Sequence, residues 1–247
     1  MSIRQNIYSF TGPMRPGLFT LASAVLLVFV TTVAAHAQKN EFGVFFGGSY
    51  YMGDLNPSRP FALPRVAMGG LYRYNLNSHI SLRGNVFYAE IEGNDAITQY
   101  QPDRDLNFES FLAEFSTQIE VNYLPYQTGN PATPLTPFLY FGAGGFLFYP
   151  REIQADGRRI DLPELQREGV DYSTASWQLM FGIGLKFNIT RRLSSGIEWG
   201  MRRTGTDYLD DIHLRGNPKN NDWYSLAGFV LTFRFADESP AVCPYID

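Results

Sequence analysis

The stretch from Trp223 to Phe235, WYSLAGFVLTFRF, constrains this chain more than any other. Trp223, Ala227, Phe229, Leu231, Phe233 and Phe235 fall on one face of an extended segment, and Tyr224, Gly228, Thr232 and Arg234 on the other. That period of two is a β-strand's. An apolar face backed by a polar one suits a strand with lipid outside and a polar lumen inside. A sheet in a bilayer must have no free edge, because each unpaired N–H or C=O in hydrocarbon costs several kcal/mol. This strand must therefore pair with another that closes the sheet.

The sequence supplies the partners. Glu41–Tyr51 sets Phe42, Val44, Phe46 and Tyr50 against Glu41, Gly43, Gly47 and Ser49, and Arg65–Tyr74 sets Val66, Met68, Tyr72 and Tyr74 against Arg65, Gly69 and Arg73. From Ile80, Leu82, Val86 and Tyr88 alternate with Ser81, Arg83 and Asn85, and between Ser110 and Tyr123 alternating apolar residues oppose Glu114, Ser116, Gln118, Glu120 and Asn122. Phe138–Tyr149 is apolar on both faces and rich in glycine, which leaves its facing open and suits close approach of bulky lumen side chains or bent backbone. Trp177–Ile189 and Ile197–Arg202 complete the set. Long polar loops alternate with short turns, except for the Pro-rich fourth connection, Leu124–Pro137. The prediction is an all-β fold: an eight-stranded antiparallel transmembrane β-barrel over residues 38–235, with a short periplasmic tail at 236–247. An eight-stranded barrel is just wide enough to fill with side chains, so an open channel is not expected.

Residues 1–37 read as a signal peptide: Arg4 and Arg15, an apolar run from Leu18 to Ala34, then Ala35-His36-Ala37 ahead of a mature start at Gln38. The competing reading is an uncleaved helical anchor. Removing this segment takes two arginines and no acid from a chain of net charge −4, so no basic footprint for nucleic acid remains. Cys243 stands alone, which excludes an internal disulfide framework. The expected location is the outer membrane, with both termini periplasmic.

Inward faces place Arg83, Glu114, Glu120, Lys186, Glu198, Arg202 and Arg234 in the lumen. Charges out of water must be paired, so a packed ion-pair plug is expected, with a relay or ion path as the alternative. The chain has no P-loop, HExxH, CxxC or nucleophile elbow. His213 beside Asp210 and Asp211 is the one cluster resembling a general base with its orienting carboxylate, and its plainer reading is a solvated outer loop. Asp207, Asp210 and Asp211 could hold calcium, although their spacing is not that of a known loop. The expectation is a non-enzyme with no cofactor and no small-molecule substrate.

Three segments carry a resemblance: GGSYYMGDLN at 47–56, EWGMRRT at 198–204 and TDYLDDI at 206–212. They resemble the PorG-like outer-membrane barrels of the Bacteroidetes-type type IX secretion system. Of these, TDYLDD, with Asp207, Tyr208, Asp210 and Asp211, is the most telling, and related barrels of the same system carry a similar one. The resemblance implies a non-enzymatic part of the secretion machine, contacting a periplasmic ring of a PorK-like lipoprotein and a PorN-like protein. It also implies export of proteins with a C-terminal sorting domain and a link to gliding motility. On that reading Cys243 and Tyr245 in the tail, and the turn at Tyr126, are the candidate partner contacts; a frayed tail with a dormant thiol is the alternative. From fold alone, a small independent barrel acting as adhesin, lipid binder or envelope anchor fits as well.

Overall fold

The computed structural model describes residues 40–53, 55–56, 59–98, 107–153, 159–161, 173–210 and 221–235. The expected signal segment and tail, with Cys243 and Tyr245, lie outside the described residues, as do Asp211 and His213. The strands are β1 (Asn40–Met52), β2 (Arg65–Asn75), β3 (Ile80–Asn94), β4 (Asn107–Asn122), β5 (Leu135–Ile153), β6 (Arg159–Asp161), β7 (Ala175–Asn188), β8 (Leu193–Thr204) and β9 (Trp223–Arg234). A one-turn helix α1, Asp95–Thr98, follows β3.

All pairings are antiparallel and the sheet closes. Its order is β4-β3-β2-β1-β9-β8-β7-β5, and β4 pairs with β5 to complete an eight-stranded barrel. The C-terminal strand finds its partner in the first one, with Phe42 opposite Phe233 and Phe46 opposite Phe229. β6 is a short hairpin addition to the end of β5, in a region the sequence reads as loop. β3, β4 and β5 run to 15, 16 and 19 residues. Crossing a bilayer takes about 9–11 residues per tilted strand. These three therefore overrun the apolar belt at the long-loop end, where Glu90, Glu92 and Glu109 make the pattern look loop-like although the backbone stays paired.

The alternation sorts the side chains. Phe46, Phe115, Leu139 and Phe229 are 63, 61, 59 and 65% exposed in the middle of an edge-free sheet, a surface made for hydrocarbon rather than water. At the short-turn end Phe42 packs against Tyr72 and Phe235, with ring centroids 4.9 and 5.3 Å apart, starting an aromatic girdle. In β5, Leu139, Phe141, Leu147 and Tyr149 face out and Phe138, Tyr140, Phe146 and Phe148 face in. Gly142 also faces in, and a Cβ there would overlap the Thr117 carbonyl oxygen, so the β4 backbone approaches too closely for any other residue. Tyr50, expected on the lipid face, is buried instead: the Phe61 ring lies 4.7 Å from its own, and Trp199 Nε1 donates to its hydroxyl at 3.0 Å.

The lumen is filled in two parts. Toward the long loops Phe45, Leu71, Phe87, Ile91, Leu112, Phe146, Phe148, Leu226 and Val230 form an apolar cluster, and toward the short turns the filling is polar and charged.

Glycines on the two faces are expected to respond differently to substitution. Gly142→Ala forces strands apart and should lower stability by about 1–3 kcal/mol. Gly84→Ala, where a Cβ meets nothing within 4 Å, should be neutral or stabilising. Urea midpoints of the vesicle-folded protein separate the two.

Candidate functional site

Glu120 is the hub of the charged half. Its carboxylate, wholly buried on β4, accepts from Arg73 Nε at 2.7 Å, Arg73 Nη2 at 3.2 Å, Arg83 Nη1 at 3.1 Å and Lys186 Nζ at 2.6 Å. Each cation then reaches a further acceptor. Arg73 donates to Glu41 Oε2 at 2.8 Å, Lys186 to Asn122 Oδ1 at 2.9 Å, and Arg83 spans the lumen from β3 to β8 to meet Glu198 at 2.6 and 3.0 Å. Fork-to-carboxylate geometry of this kind fixes both partners in orientation as well as in charge. Higher in the lumen Arg202 meets Glu114 at 3.4 Å, and the Tyr224 hydroxyl donates to the same carboxylate at 2.9 Å and lies against Gln178 Oε1.

The structure thus brings together Arg83, Glu120, Lys186 and Glu198 in one network, with Glu114 and Arg202 as a second pair. Glu41 and Arg73, inward-facing by parity, belong to the first network but were not among the residues expected there. Both stand at strand ends, where water is the ordinary neighbour, and what buries them comes from a loop. Arg234 is the exception of opposite kind: it is buried, but its guanidinium donates to the Arg191 carbonyl at 3.3 Å and to no carboxylate among the described residues. A cavity of about 10 Å³ remains between Arg73, Lys186, Ser194, Glu198 and Thr232, room for one water. Among the described residues this arrangement holds charge in place around a space no larger than one water.

The loop in question is the Pro-rich connection 124–134, which folds into the short-turn mouth. Thr128 is buried in the lumen and donates to Glu41 Oε1 at 2.7 Å. Asn188 pins the loop from β7: its Nδ2 donates to the carbonyls of Gln127, Asn130 and Thr133, and its Oδ1 accepts from Tyr126 and Gly129. Gly129, at φ 83°, adopts a backbone open to glycine, and a side chain there would run into Arg191. Tyr126, expected as an outward contact, is turned inward and only 7% exposed, and burial pushes its phenol above the ordinary value. It belongs to the plug.

The long-loop mouth is closed by residues 206–210, the described part of the TDYLDD stretch. Leu209 is wholly buried in the apolar cluster and Tyr208 packs against it. Asp210 Oδ2 and Asp222 Oδ1 each lie 2.7 Å from the buried Tyr51 hydroxyl, and the Leu209 amide donates to Asp222 Oδ2 at 3.1 Å. Asp207 is buried nearby. Among the described residues no group of His, Cys, Asp or Glu is assembled to hold a metal ion.

A family model described as "Domain of unknown function (DUF6089)" matches residues 20–245. No curated protein matches the chain. Solved structures similar to it include Ail of Yersinia pestis bound to the heparin analogue sucrose octasulfate, at 10% identity and TM-score 0.44 over 79% of this chain and 97% of that one. Neisserial surface protein A is similar at 14% identity and TM-score 0.46, over 80 and 97% of the two chains. A major outer membrane protein from Thermus thermophilus is similar at 12% identity and TM-score 0.45, over 79 and 99%. At these identities and scores the likenesses say nothing of ligands or partners.

Two substitutions probe the site. Glu120→Gln takes the shared carboxylate from three buried cations, leaving Lys186 with none among the described residues, and should cost about 3–5 kcal/mol of unfolding free energy. Tyr51→Phe should cost about 1.5–3 kcal/mol and speed hydrogen exchange of the Leu209 amide at least tenfold, because it unpins the mouth locally.

Proposed function

From a chain that belongs to the DUF6089 family, whose description assigns no activity, we propose a non-enzymatic outer-membrane component of a type IX protein secretion machine. In this reading the short-turn end and both termini face the periplasm, where the barrel contacts a ring of a PorK-like lipoprotein and a PorN-like protein, and the protein supports export and gliding motility. The observation that carries it is the build of the long-loop mouth. The stretch with the most telling resemblance is locked into the barrel through Leu209 and through Asp210 on Tyr51, so it shapes a rigid loop platform instead of lining a reaction site. The filled lumen agrees with a scaffold rather than a conduit. On the other side the Pro-rich plug offers a second fixed surface, and β9 ends there, ahead in sequence of Cys243 and Tyr245.

A second reading, a small independent barrel serving as adhesin, lipid binder or envelope anchor, is favoured by the wall of β3, β4 and β5 that stands above the apolar belt on the long-loop side. The two part company in the cell. Depletion of a secretion component should trap sorting-domain cargo in the periplasm, and the native barrel should co-purify with ring proteins. Normal cargo export together with no ring partner would leave the second reading in possession. On a non-reducing gel and in a crosslinked pull-down, a ring-sized partner lost in Cys243→Ser would assign the contact to the tail, and one still crosslinked in the variant would assign it to the plug. In planar bilayers the purified protein should be electrically silent.

A further inference from the structure

The lipid face of the barrel is not uniform. Across β7, β8 and β9 it sinks into an apolar groove of about 600 Å³, within the roughly 300–1,000 Å³ of pockets that hold ligands. Ile183, Leu185, Ile197 and Phe229 form its sides, and Ala227, the smallest outward residue there, leaves its floor low. Trp199 bounds the groove toward the long loops, and its ring is fixed in place because Nε1 donates to the Tyr50 hydroxyl at 3.0 Å.

Arg203 stands further along β8 toward the long loops, about 13 Å from Trp199 at the rise of an extended strand. It is exposed, has Leu179 and Trp223 as cross-strand neighbours, and makes no ion pair among the described residues. Trp177 and Trp223 lie beside its level, where indole rings mark the boundary between hydrocarbon and headgroups. Among the described residues no carboxylate points outward from β7, β8, β9 or β1, whereas β3, across the lumen, carries Glu90 and Glu92 toward its long-loop end. A cation at the hydrocarbon boundary, with an apolar groove below it and no acid beside it, is complementary to an amphiphile with a negative head and a fatty chain.

We propose that the outer wall of β7, β8 and β9 binds a lipid bearing an anionic phosphate, in the leaflet at the long-loop end. Arg203 holds the phosphate, and one acyl chain lies in the groove against Trp199. The acids of β3 turn such a head away, so the lipid is held on one side of the barrel. The site rests on the closed barrel and holds under either reading of function.

The test uses the chain folded in phosphatidylcholine vesicles that contain, at equal mole fraction, brominated phosphatidic acid or brominated phosphatidylcholine. Bromine on an acyl chain quenches indole fluorescence on contact, and all three tryptophans of the chain lie on this wall, so quenching reads the site. Phosphatidic acid should bind about fivefold more tightly than phosphatidylcholine, the scale of one Arg at an anionic lipid surface. Arg203→Gln should bring that ratio near one, and Arg203→Lys should keep most of it. Ala227→Phe, which fills the groove, should at least halve the ratio, with folding checked by heat-dependent gel mobility. If that variant does not fold, the two Arg203 variants decide. Equal quenching by the two lipids in the wild type, a ratio untouched by Arg203→Gln, or one untouched by Ala227→Phe in a folded barrel would each overturn the proposal.

Discussion

One carboxylate with three cations around it sets the terms for the rest of the structure. Glu120 alone would not survive in the middle of a membrane protein, and neither would Arg73, Arg83 or Lys186; each is tolerable because the others are present. The barrel supplies the geometry that lets them meet. Strands β2, β3, β4 and β7 bring the four side chains to one level, and β8 extends the network with Glu198. The small residues opposite, Gly184 and Gly228 beside Glu198, leave room for it.

A charged lumen also has to be kept from water at both ends, and the two ends solve this by different chemistry. At the short turns polar atoms are matched one for one: Thr128 completes Glu41, and Asn188 satisfies the backbone of a loop whose prolines cannot donate. At the long loops the seal is mainly apolar, with Leu209 joining the cluster that includes Phe108, Phe146 and Phe148, and with Tyr51 tethering the loop through two carboxylates. Phe61 and Leu63, at φ of 62° and 51°, adopt an unfavourable backbone near the start of β2, and Phe61 packs its ring on Tyr50.

The barrel was legible because the signal is binary and repeated: a strand between lipid and a polar lumen writes alternation directly into the sequence, most clearly in β4 past Leu112 and in β9 past Val230, whereas the inward Phe108, Leu112, Leu226 and Val230 serve the apolar half of the lumen. β5 did not, since its inward Phe138, Tyr140, Phe146 and Phe148 fill space beside glycines and are as apolar as its lipid face. The overrun of β3 to β5 was hidden because above the belt neither face needs to be apolar. Parity also placed six of the network and pair residues, yet it could not tell that Glu41 and Arg73 would be dry, because their cover arrives from residues 124–134, far away in sequence. Tyr50 and Tyr126 were misplaced for the same reason: loop packing reverses what strand parity or turn position suggests.

The span of the Glu120 network has a consequence for how such a molecule can be made. Its members arrive on β1, β2, β3, β4, β7 and β8, so a partly inserted sheet of the first four strands would turn the charged face of Glu41, Arg73, Arg83 and Glu120 toward hydrocarbon with the facing wall, Lys186 and Glu198 included, still missing. Half-built forms in hydrocarbon are therefore heavily penalised, and insertion and ring closure become a single cooperative event. The same penalty stands in the reverse direction. Escape from the bilayer requires the whole network to part before any of it is rehydrated, which makes the lifetime of the folded barrel, more than its equilibrium free energy, the measure of its durability.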